Sequence, residues 1–500
     1  MRVGLVYPLI QRVLQKDDLL AKWPPLGLLY IASSLEKNGH QVRLFERRQL
    51  FNINQNISEI DEKMLRQLKD FEPQLIGISA TTPLISDALY TVKLISKNMP
   101  GVPLAIGGVH PTIEPLETLG SAPEIDYLIR GEGEKGMLML ADRATLKEIP
   151  GLVYRNGSDY NINDASVSNE KLDYLPFPAR HLLDKDFYFT PTTNVARGSF
   201  RTVATVITSR GCPFSCYFCS NAEIAKASKR SKIRFHSPEY VISELDSLIG
   251  EYKIGGFVFV DDMFFTYKER ARRICELMVE KNLHKRLIWT ANVRADAVDK
   301  DILCAVKKAG CKHLVIGFES GSQKMLNAMN KSAKVETYNQ AAELIHKAGL
   351  SFEACMIHGL PGETEEDFGL TRRFLKRIRP DRIFCTKLYP MPGSVFYNEL
   401  TRKGAMRINS YDDIFEKYFL GKFTFADMTY ERYKKLCDIE LRSIILPTNY
   451  NYTIRSNLMH PLKVFKNALL YLFHPLVLYL PDKIRKFIRD KIKNIGILPN

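Results

Sequence analysis

Two features that often place a protein in a membrane or outside the cell are missing from this sequence. No stretch supplies the roughly 20 consecutive apolar residues that a membrane-spanning helix needs. Residues 1–8 run directly into a strand-like segment without the charged, apolar and small-residue zones of a signal peptide. Nine cysteines, an odd number without a secretory signal, argue against a disulfide framework and for a reducing compartment. We therefore expect a cytoplasmic protein.

The positive charge is concentrated near one end of the chain. The formal net charge is +15, and residues 451–500 hold nine Lys or Arg against two Asp, an excess of seven. Such a local excess favours a surface patch over a nucleic-acid groove, so we expect no nucleic-acid partner. Residues 462–480 are mostly apolar, and residues 483–493 alternate Ile or Phe with Lys or Arg at helical spacing. This pattern predicts either peripheral contact with the inner face of a membrane through residues 455–500 or packing of these helices on the protein itself.

The 500-residue chain exceeds what one hydrophobic core usually serves, and its periodicity changes along its length. Residues 1–147 alternate strand-like runs with amphipathic stretches of helix length, which predicts a parallel sheet covered on both faces. Residues 148–200 lose this period and collect Pro and Gly, as in a linker with one hairpin. Residues 201–395 contain six further strand-like runs, and residues 396–500 read as helical. The predicted strands are 3–7, 41–45, 75–79, 104–107, 127–130, 204–208, 257–260, 288–292, 314–318, 352–357 and 383–388.

The predicted fold class is therefore α/β. It combines an N-terminal doubly wound, Rossmann-like sheet with a partial (β/α)6 barrel of the TIM type and a helical C-terminal region with a basic amphipathic tail. In both architectures functional groups collect at the carboxyl ends of the parallel strands.

Three cysteines stand immediately after the first predicted barrel strand. Cys212, Cys216 and Cys219 are separated by gaps of three and two residues, which puts three thiolates on one short loop. A [4Fe–4S] cube normally takes four thiolates, so three leave one iron open to an exogenous ligand. Structural zinc needs four protein ligands, usually as paired short-gap motifs, and no second pair lies nearby. Three unrelated buried thiols would rarely fall within eight residues. We predict an iron–sulfur cluster here.

This motif resembles the signature of the radical S-adenosylmethionine (SAM) superfamily, CxxxCxΦC, in which Phe218 occupies the aromatic position. The resemblance implies that the three cysteines are iron ligands and that Phe218 adjoins the adenine of SAM. It also implies that the reduced cluster cleaves SAM to methionine and a 5′-deoxyadenosyl radical, with a reductant such as flavodoxin or ferredoxin as a partner.

Further segments at predicted strand ends are similar to SAM-binding motifs of this family. Asp261 and Asp262 stand where the family binds the amino group of SAM, and paired carboxylates suit an ammonium, although a solvated acidic turn would look the same. Arg294 could hold the methionine carboxylate by a bidentate fork or form a surface ion pair. Glu319 is the candidate for the ribose hydroxyls, and the stretch around Gly359 resembles the adenine motif.

The N-terminal region extends the resemblance to cobalamin (B12)-binding radical SAM proteins, a class that includes hopanoid and other cobalamin-dependent methylases and the anaerobic magnesium-protoporphyrin monomethyl ester cyclases. Ser79, Thr81, Gly107 and Gly108 follow consecutive strands, where an open parallel sheet binds its ligand. Glycine there lets the backbone approach a bulky nucleotide tail. The D-x-H-x-x-G loop that supplies a histidine to cobalt in classical B12 domains is absent after the first strand. The resemblance thus implies cobalamin without that histidine ligand.

Together these resemblances imply an enzyme that cleaves SAM and modifies, by methylation in the favoured case, an unactivated carbon of a small or lipid-like substrate. An oxidative cyclase acting on a tetrapyrrole-like substrate is the alternative. A tRNA methylthiotransferase is disfavoured because that family carries a second cluster on N-terminal cysteines, and no cysteine precedes Cys212. A non-enzymatic B12- or light-sensing module is disfavoured by the intact cysteine set.

Overall fold

A computed structural model of the chain describes residues 1–9, 23–50, 56–165, 171–189, 191–192, 201–404 and 421–457. This part of the chain forms two α/β units, each built around one main sheet. The first sheet has a hydrophobic core on each face, and the second unit has one large core. None of the helices in these ranges combines the length and the apolar character needed to cross a membrane. The basic tail predicted at residues 483–493 lies outside the described ranges.

The first sheet has seven strands in the order β2-β1-β3-β4-β5-β6-β7. The first five strands in the chain pair in parallel and the last two are antiparallel. Because chain order reverses between β1 and β3, the ligand crevice of such a sheet is expected beside these strands at their carboxyl ends. The strands are β1 (Arg2–Tyr7), β2 (Gln41–Glu46), β3 (Leu75–Ser79), β4 (Leu104–Gly107), β5 (Tyr127–Ile129), β6 (Leu152–Asn156) and β7 (Asp159–Ile162).

Helices cover both faces of this sheet. Leu28 and Leu35 of α1 pack with Met137 of α7 on one face, while Met64 of α3 and Ile85 of α4 belong to the core on the other face. The apolar residues of each helix recur at helical spacing, which is why a single stripe is buried. The helices of this domain are α1 (Leu26–Lys37), α2 (Arg47–Leu50), α3 (Ile57–Phe71), α4 (Ile85–Asn98), α5 (Val109–Ile113), α6 (Pro115–Ser121) and α7 (Gly133–Ala141).

The hairpin expected in the linker is β6–β7, and it belongs to the first sheet. Residues 127–129 pair with residues 152–154 in antiparallel register, so the sheet continues past residue 147. The sequence-based boundaries at 147, 200 and 395 remain predictions.

The second sheet is a half-barrel whose strand order is β16-β15-β14-β13-β12-β9-β8. Its last six strands in the chain are parallel neighbours, and the short β8 adds an antiparallel edge. A separate two-stranded ribbon, β10–β11, follows the first parallel strand. The strands are β8 (Pro191–Thr192), β9 (Arg201–Val206), β10 (Ser209–Gly211), β11 (Ile233–Phe235), β12 (Gly256–Phe259), β13 (Ile288–Val293), β14 (Cys311–Glu319), β15 (Ser351–His358) and β16 (Arg382–Lys387).

Alternate residues of the barrel strands face different surroundings. Phe257 and Phe259 pack on Trp289 in the layer shared with the helices, with ring centroids 6.0 and 5.3 Å apart. The intervening side chains, such as those of Val258 and Thr290, therefore point to the inner side. The helices of this half are α8 (Lys185–Tyr188), α9 (Asn221–Ala227), α10 (Pro238–Tyr252), α11 (Lys268–Glu280), α12 (Lys300–Lys308), α13 (Gln323–Ala328), α14 (Val335–Lys347), α15 (Glu365–Ile378) and α16 (Val395–Arg402).

The described C-terminal residues are helical and pack on the end of the barrel. The helix α17 (Tyr430–Lys435) continues through a π-helical turn, Leu436–Leu441, into α18 (Arg442–Asn457). The Tyr433 hydroxyl and Nδ1 of His358, at the end of β15, share a hydrogen bond of 2.7 Å. The predicted fold class is confirmed: a Rossmann-like sheet, a half-barrel of six parallel strands and a helical C-terminal region.

Candidate active site

The three cysteines lie on the loop between β10 and α9, at the carboxyl ends of the barrel strands. All three are free thiols and partly exposed. The backbone N–H of Cys219 donates to the carbonyl of Cys216 at 3.0 Å, which turns the loop back on itself. The residues just after α13 hold the loop in place, because Tyr217 N donates to Met329 O at 2.9 Å and Asn330 Nδ2 donates to Ser215 O at 2.9 Å.

The three thiols lie within eight residues of one another, and burial and neighbouring charges raise the pKa of Cys212 and Cys219. Burial is the main cause that raises the pKa of Cys212, and the charges of Asp262 and Cys216 add to it. Burial also raises the pKa of Cys219 to about 11, with contributions from Cys216, Asp262 and Cys212. A bound metal stabilises the thiolate form and so overcomes such a rise.

The sulfur set fits a cluster better than a single ion. In the described ranges, no three His, Cys, Asp or Glu side chains converge closely enough to hold one metal ion. A cube binds each thiolate at a different iron, so its ligands need not meet at a single point. The donors available here are therefore three separate soft ligands on one partly exposed loop.

Asp261 is buried beneath the start of this loop and is not open to a ligand. Its carboxylate, 0% exposed, accepts hydrogen bonds from the backbone N–H of Thr208 at 2.7 Å, from the Thr208 hydroxyl at 2.7 Å and from the Ser209 N–H. Arg270 donates to the carbonyl of Thr208 at 2.9 Å from the other side. These contacts and its complete burial favour a positioning role for Asp261. The direct SAM contact inferred from the sequence remains a proposal.

Asp262 points the opposite way and remains available. It is exposed, and its charge reaches both Cys212 and Cys219. The amide of Asn221 hydrogen-bonds to it. Phe218 is partly buried and packs against the barrel core beside these residues. The amino-group role of Asp262 and the adenine-side role of Phe218 remain proposals.

Arg294 is fully engaged within the protein. Its Nε lies 2.9 Å from Oδ1 of Asp296, and its Nη2 donates to Oδ2 of Asp296 and to the carbonyl of Lys331, both at 2.7 Å. Its guanidinium also stacks on the ring of Phe214, 3.9 Å from the centroid. Of the two roles weighed from the sequence, these contacts favour the ion pair, in which Arg294 is buried and Asp296 is exposed; the contact with the methionine carboxylate remains a proposal. Arg294 supports the cysteine loop through Phe214.

Glu319 occupies a strained position at the end of β14. Its φ is +65°, a left-handed conformation that non-glycine residues rarely adopt, and the pairing with β15 shifts register beside it. Its Oε1 lies 2.8 Å from Nζ of Lys331, and both side chains are buried. Backbone strain of this kind concentrates at functional sites. The ribose contact remains a proposal, with Lys331 now identified as a neighbour that the sequence did not indicate.

The turn around Gly359 depends on a buried carboxylate. Gly359 has a φ of +80°, and a Cβ there would lie 3.0 Å from the Tyr433 hydroxyl. Glu363 accepts hydrogen bonds from the N–H of Gly359 and, at 3.1 Å, from that of Leu360. Burial raises the pKa of Glu363 to about 8. The adenine contact inferred for this turn remains a proposal.

A cavity of about 270 Å³ lies between the first sheet and the cysteine loop. Ser79, Gly107 and Gly108 line it at the ends of β3 and β4, as the sequence predicts, whereas Thr81 precedes a short 3-10 turn and is not among the lining residues. Gly108 has a φ of +106°, and a Cβ on it would lie 2.6 Å from the carbonyl of Ala80. Glycine is therefore needed at this position for the turn to pack against Ala80, and this turn shapes the wall of the cavity.

The same cavity has residues from both halves of the chain in its wall. Arg210, two residues before Cys212, forms ion pairs with Glu132 at 3.0 Å and with Glu134 at 2.6 Å. Arg234 of β11 also pairs with Glu132. We call these four residues the interdomain clamp. The basic partners of Glu132 and Glu134 are 76 to 102 residues away in the sequence, so only the tertiary structure identifies them.

Comparisons with known proteins agree with this site. The radical SAM superfamily matches residues 206–375, and the B12 binding domain matches residues 17–141. An uncharacterized methyltransferase of Pyrococcus horikoshii is 33% identical over 79% of this chain and 82% of its own length. An anaerobic magnesium-protoporphyrin IX monomethyl ester cyclase of Cereibacter sphaeroides is 28% identical over 77% of this chain and 61% of its own.

A solved structure shows the same fold. The radical SAM methyltransferase TsrM from Kitasatospora setae, with cobalamin and a [4Fe–4S] cluster bound, superposes with a TM-score of 0.64 at 16% identity, over 81% of this chain and 75% of its own. The fold and the site thus define a cobalamin-binding radical SAM enzyme. The chain belongs to the radical SAM superfamily and carries its B12-binding domain at the N-terminal end, and its cofactors are a [4Fe–4S] cluster, SAM and cobalamin.

Proposed function

We propose that this enzyme transfers a methyl group from SAM, by way of cobalamin, to an unactivated carbon of a small or lipid-like substrate. The observation that carries the proposal is the cavity whose wall joins the glycine-lined ends of β3 and β4 to Arg210 and Ile224, the lining residues that stand just before and just after the loop of Cys212, Cys216 and Cys219. A corrinoid in that cavity would lie next to the cluster site. Both cofactors could then act on one substrate.

The bound cluster would supply the electron that cleaves SAM, and cobalamin would carry the methyl group. The residues of the chain hold and orient these groups. Cys212, Cys216 and Cys219 would seat the cluster, and Asp262 would accept hydrogen bonds from the amino group of SAM beside it. Asp261 would hold the start of the loop by its hydrogen bond with Thr208, and Arg294 would hold the loop by stacking on Phe214. Ser79, Gly107 and Gly108 would line the tail of the corrinoid.

A second candidate is an oxidative cyclase acting on a tetrapyrrole-like substrate, which the cyclase of Cereibacter sphaeroides favours. The two activities differ in what the product gains. A methylase product carries the methyl group of SAM, whereas a cyclase product closes a ring without it.

The test uses anaerobically reconstituted full-length enzyme, a low-potential reductant such as flavodoxin, and SAM with a deuterated methyl group. The substrate source is an extract of a deletion strain, compared with its parent. We expect one product whose mass increases by a labelled methyl group, together with 5′-deoxyadenosine. An unlabelled product with a new ring would contradict the methylase and support the cyclase.

The matched variants are Cys216→Ala and Cys304→Ala. Cys216 is proposed as an iron ligand, and Cys304 is an exposed thiol on α12, away from the loop. We expect Cys216→Ala to lose SAM cleavage and Cys304→Ala to retain it. Unchanged 5′-deoxyadenosine formation by Cys216→Ala would overturn the cluster assignment.

We also propose that residues 455–500 attach the enzyme to the inner face of a membrane, where the enzyme would meet a lipid-like substrate.

A further inference from the structure

One cation in the wall of the cavity lacks a carboxylate partner. Arg230 lines the cavity and is partly buried. In the described ranges it forms no ion pair, and its Nη1 donates only long hydrogen bonds to the carbonyls of Ser231 at 3.2 Å and Lys232 at 3.4 Å. Its guanidinium lies directly against the backbone of Gly211, so it stands next to the loop that begins at Cys212.

The two carboxylates that line the cavity are already matched. Glu132 and Glu134 of the clamp are paired with Arg210 and Arg234. Although burial opposes it, these arginines hold the pKa of Glu132 below its usual value, so the carboxylate is ionised and occupied. Of the two guanidiniums that line the cavity, Arg210 is therefore paired with these carboxylates, and Arg230 has no ion-pair partner among the described residues.

Burial makes the unpaired charge of Arg230 costly without an anion. Burial is the main cause that lowers its pKa, while Glu132 and Asp262 oppose the shift from beyond ion-pair distance. A partly desolvated guanidinium gains most from an oxygen anion, which can accept two parallel hydrogen bonds.

The cavity also separates into regions of different chemistry. Leu5, Ile78, Ile106 and Met137 of the first domain give it an apolar lining, whereas its charged lining residues are Glu132 and Glu134 of the first domain and Arg210 and Arg230, which flank the cysteine loop in the sequence. A corrinoid tail combines the same chemistry, because it carries an aromatic base at its end and a phosphodiester nearer the ring. The carboxylate of SAM would approach the same charged side from the cluster.

We propose that Arg230 is an anion subsite that binds the oxyanion of a cofactor, either the phosphodiester of the corrinoid tail or the carboxylate of SAM. The inference rests on the cofactor set of the proposed function, but not on methylation as the outcome. It assigns to Arg230 the contact that Arg294, already paired with Asp296, does not offer.

The test measures binding, by anaerobic titration of the full-length, cluster-loaded protein. Arg230→Gln is compared with wild type for hydroxocobalamin, cobinamide phosphate and cobinamide, and for SAM and decarboxylated SAM. If Arg230 binds the phosphate, Arg230→Gln should bind hydroxocobalamin and cobinamide phosphate at least about tenfold more weakly than wild type does, and its affinity for cobinamide should be unchanged. A carboxylate contact predicts the same loss for SAM and no change for decarboxylated SAM. Arg230→Lys should recover part of the affinity in either case.

Lys229→Gln is the control, since it removes one positive charge from the adjacent residue, whose exposed side chain pairs with Asp164 at 2.6 Å. We expect it to bind all five ligands as wild type does. Equal losses for cobinamide and hydroxocobalamin, with SAM unchanged, would overturn the proposal, as would wild-type affinities throughout. Failure of the wild-type protein to bind any corrinoid would contradict the proposed function instead, and the SAM titrations would still decide the role of Arg230.

Discussion

At the scale of single residues, the cysteine loop is held by a fully buried carboxylate. Asp261 accepts hydrogen bonds from two consecutive backbone N–H groups and from the Thr208 hydroxyl. Its neighbour Asp262 faces the thiols instead. Two adjacent acidic residues thus serve different purposes, because successive side chains at a strand end point to opposite sides.

We expect Asp261→Asn to weaken the loop more than Asp262→Asn does. The asparagine amide would present N–H donors where the protein already offers donors, at a cost of about 2 kcal/mol. Asp261→Asn should bind less iron on reconstitution and unfold at a lower temperature, while Asp262→Asn should keep the iron and lose affinity for SAM. Full iron content and wild-type thermal stability in Asp261→Asn would contradict the positioning role.

Glu363 predicts a pH dependence of stability. Burial raises its pKa in the fold to about 8, from an ordinary value of 4.5. The folded protein therefore retains a proton that the unfolded chain releases, and stability falls as pH rises from about 4.5 to 8. Glu363→Gln keeps the size of the side chain without the charge, so it should be more stable than wild type near pH 8, by about 4 kcal/mol, and match it more closely near pH 5. Thermal unfolding across this range is the measurement; parallel profiles would argue against an ionising Glu363.

At the scale of secondary-structure elements, the alternation of strands and helices could be predicted from the sequence, because hydrophobic periodicity depends only on residues close together in the chain. The runs at 75–79 and 104–107 coincide with β3 and β4, since each is a short buried run bounded by polar residues. The ends of β14 could not be predicted in this way, because the strand spans Cys311–Glu319 whereas the predicted run is 314–318. The end at Glu319 depends on a register shift against β15 and on contact with buried Lys331, twelve residues away. The same holds for Arg294, whose stacking on Phe214 depends on tertiary contacts.

The turn from β4 into α5 supports a prediction about corrinoid binding. Gly108→Ala would place a methyl group 2.6 Å from the carbonyl of Ala80 in a conformation that disfavours side chains. Because the backbone must move in the wall of the cavity, we expect about tenfold weaker binding of hydroxocobalamin. Gly120→Ala is the matched control: it lies in α6 with open space around it, so binding should not change and the helix should gain slightly. Wild-type affinity in Gly108→Ala would show that this turn does not shape the corrinoid site.

At the scale of the whole molecule, the proposed membrane attachment can be tested by sedimentation with liposomes. Residues 451–500 carry an excess of seven positive charges, and each near an anionic leaflet contributes about 1 kcal/mol. The full chain should pellet with anionic liposomes at low salt, less so at high salt, and a chain ending at Asn457 should stay in solution. Liposomes of neutral lipid control for apolar binding alone. Equal sedimentation of the two chains would assign the tail to packing on the protein.

The interdomain clamp has a consequence for how this enzyme could be rebuilt. Its acidic residues, Glu132 and Glu134, come from the first domain, and its basic residues, Arg210 and Arg234, come from the ribbon that leads into the cysteine loop. A chimera that took its first domain from a distant relative would inherit half of this arrangement. Unless the graft also carried acidic residues at both positions, two buried guanidiniums would lose their counter-charges. The two domains are thus not interchangeable parts, and a successful exchange would have to move the junction across the clamp or transplant both of its sides together.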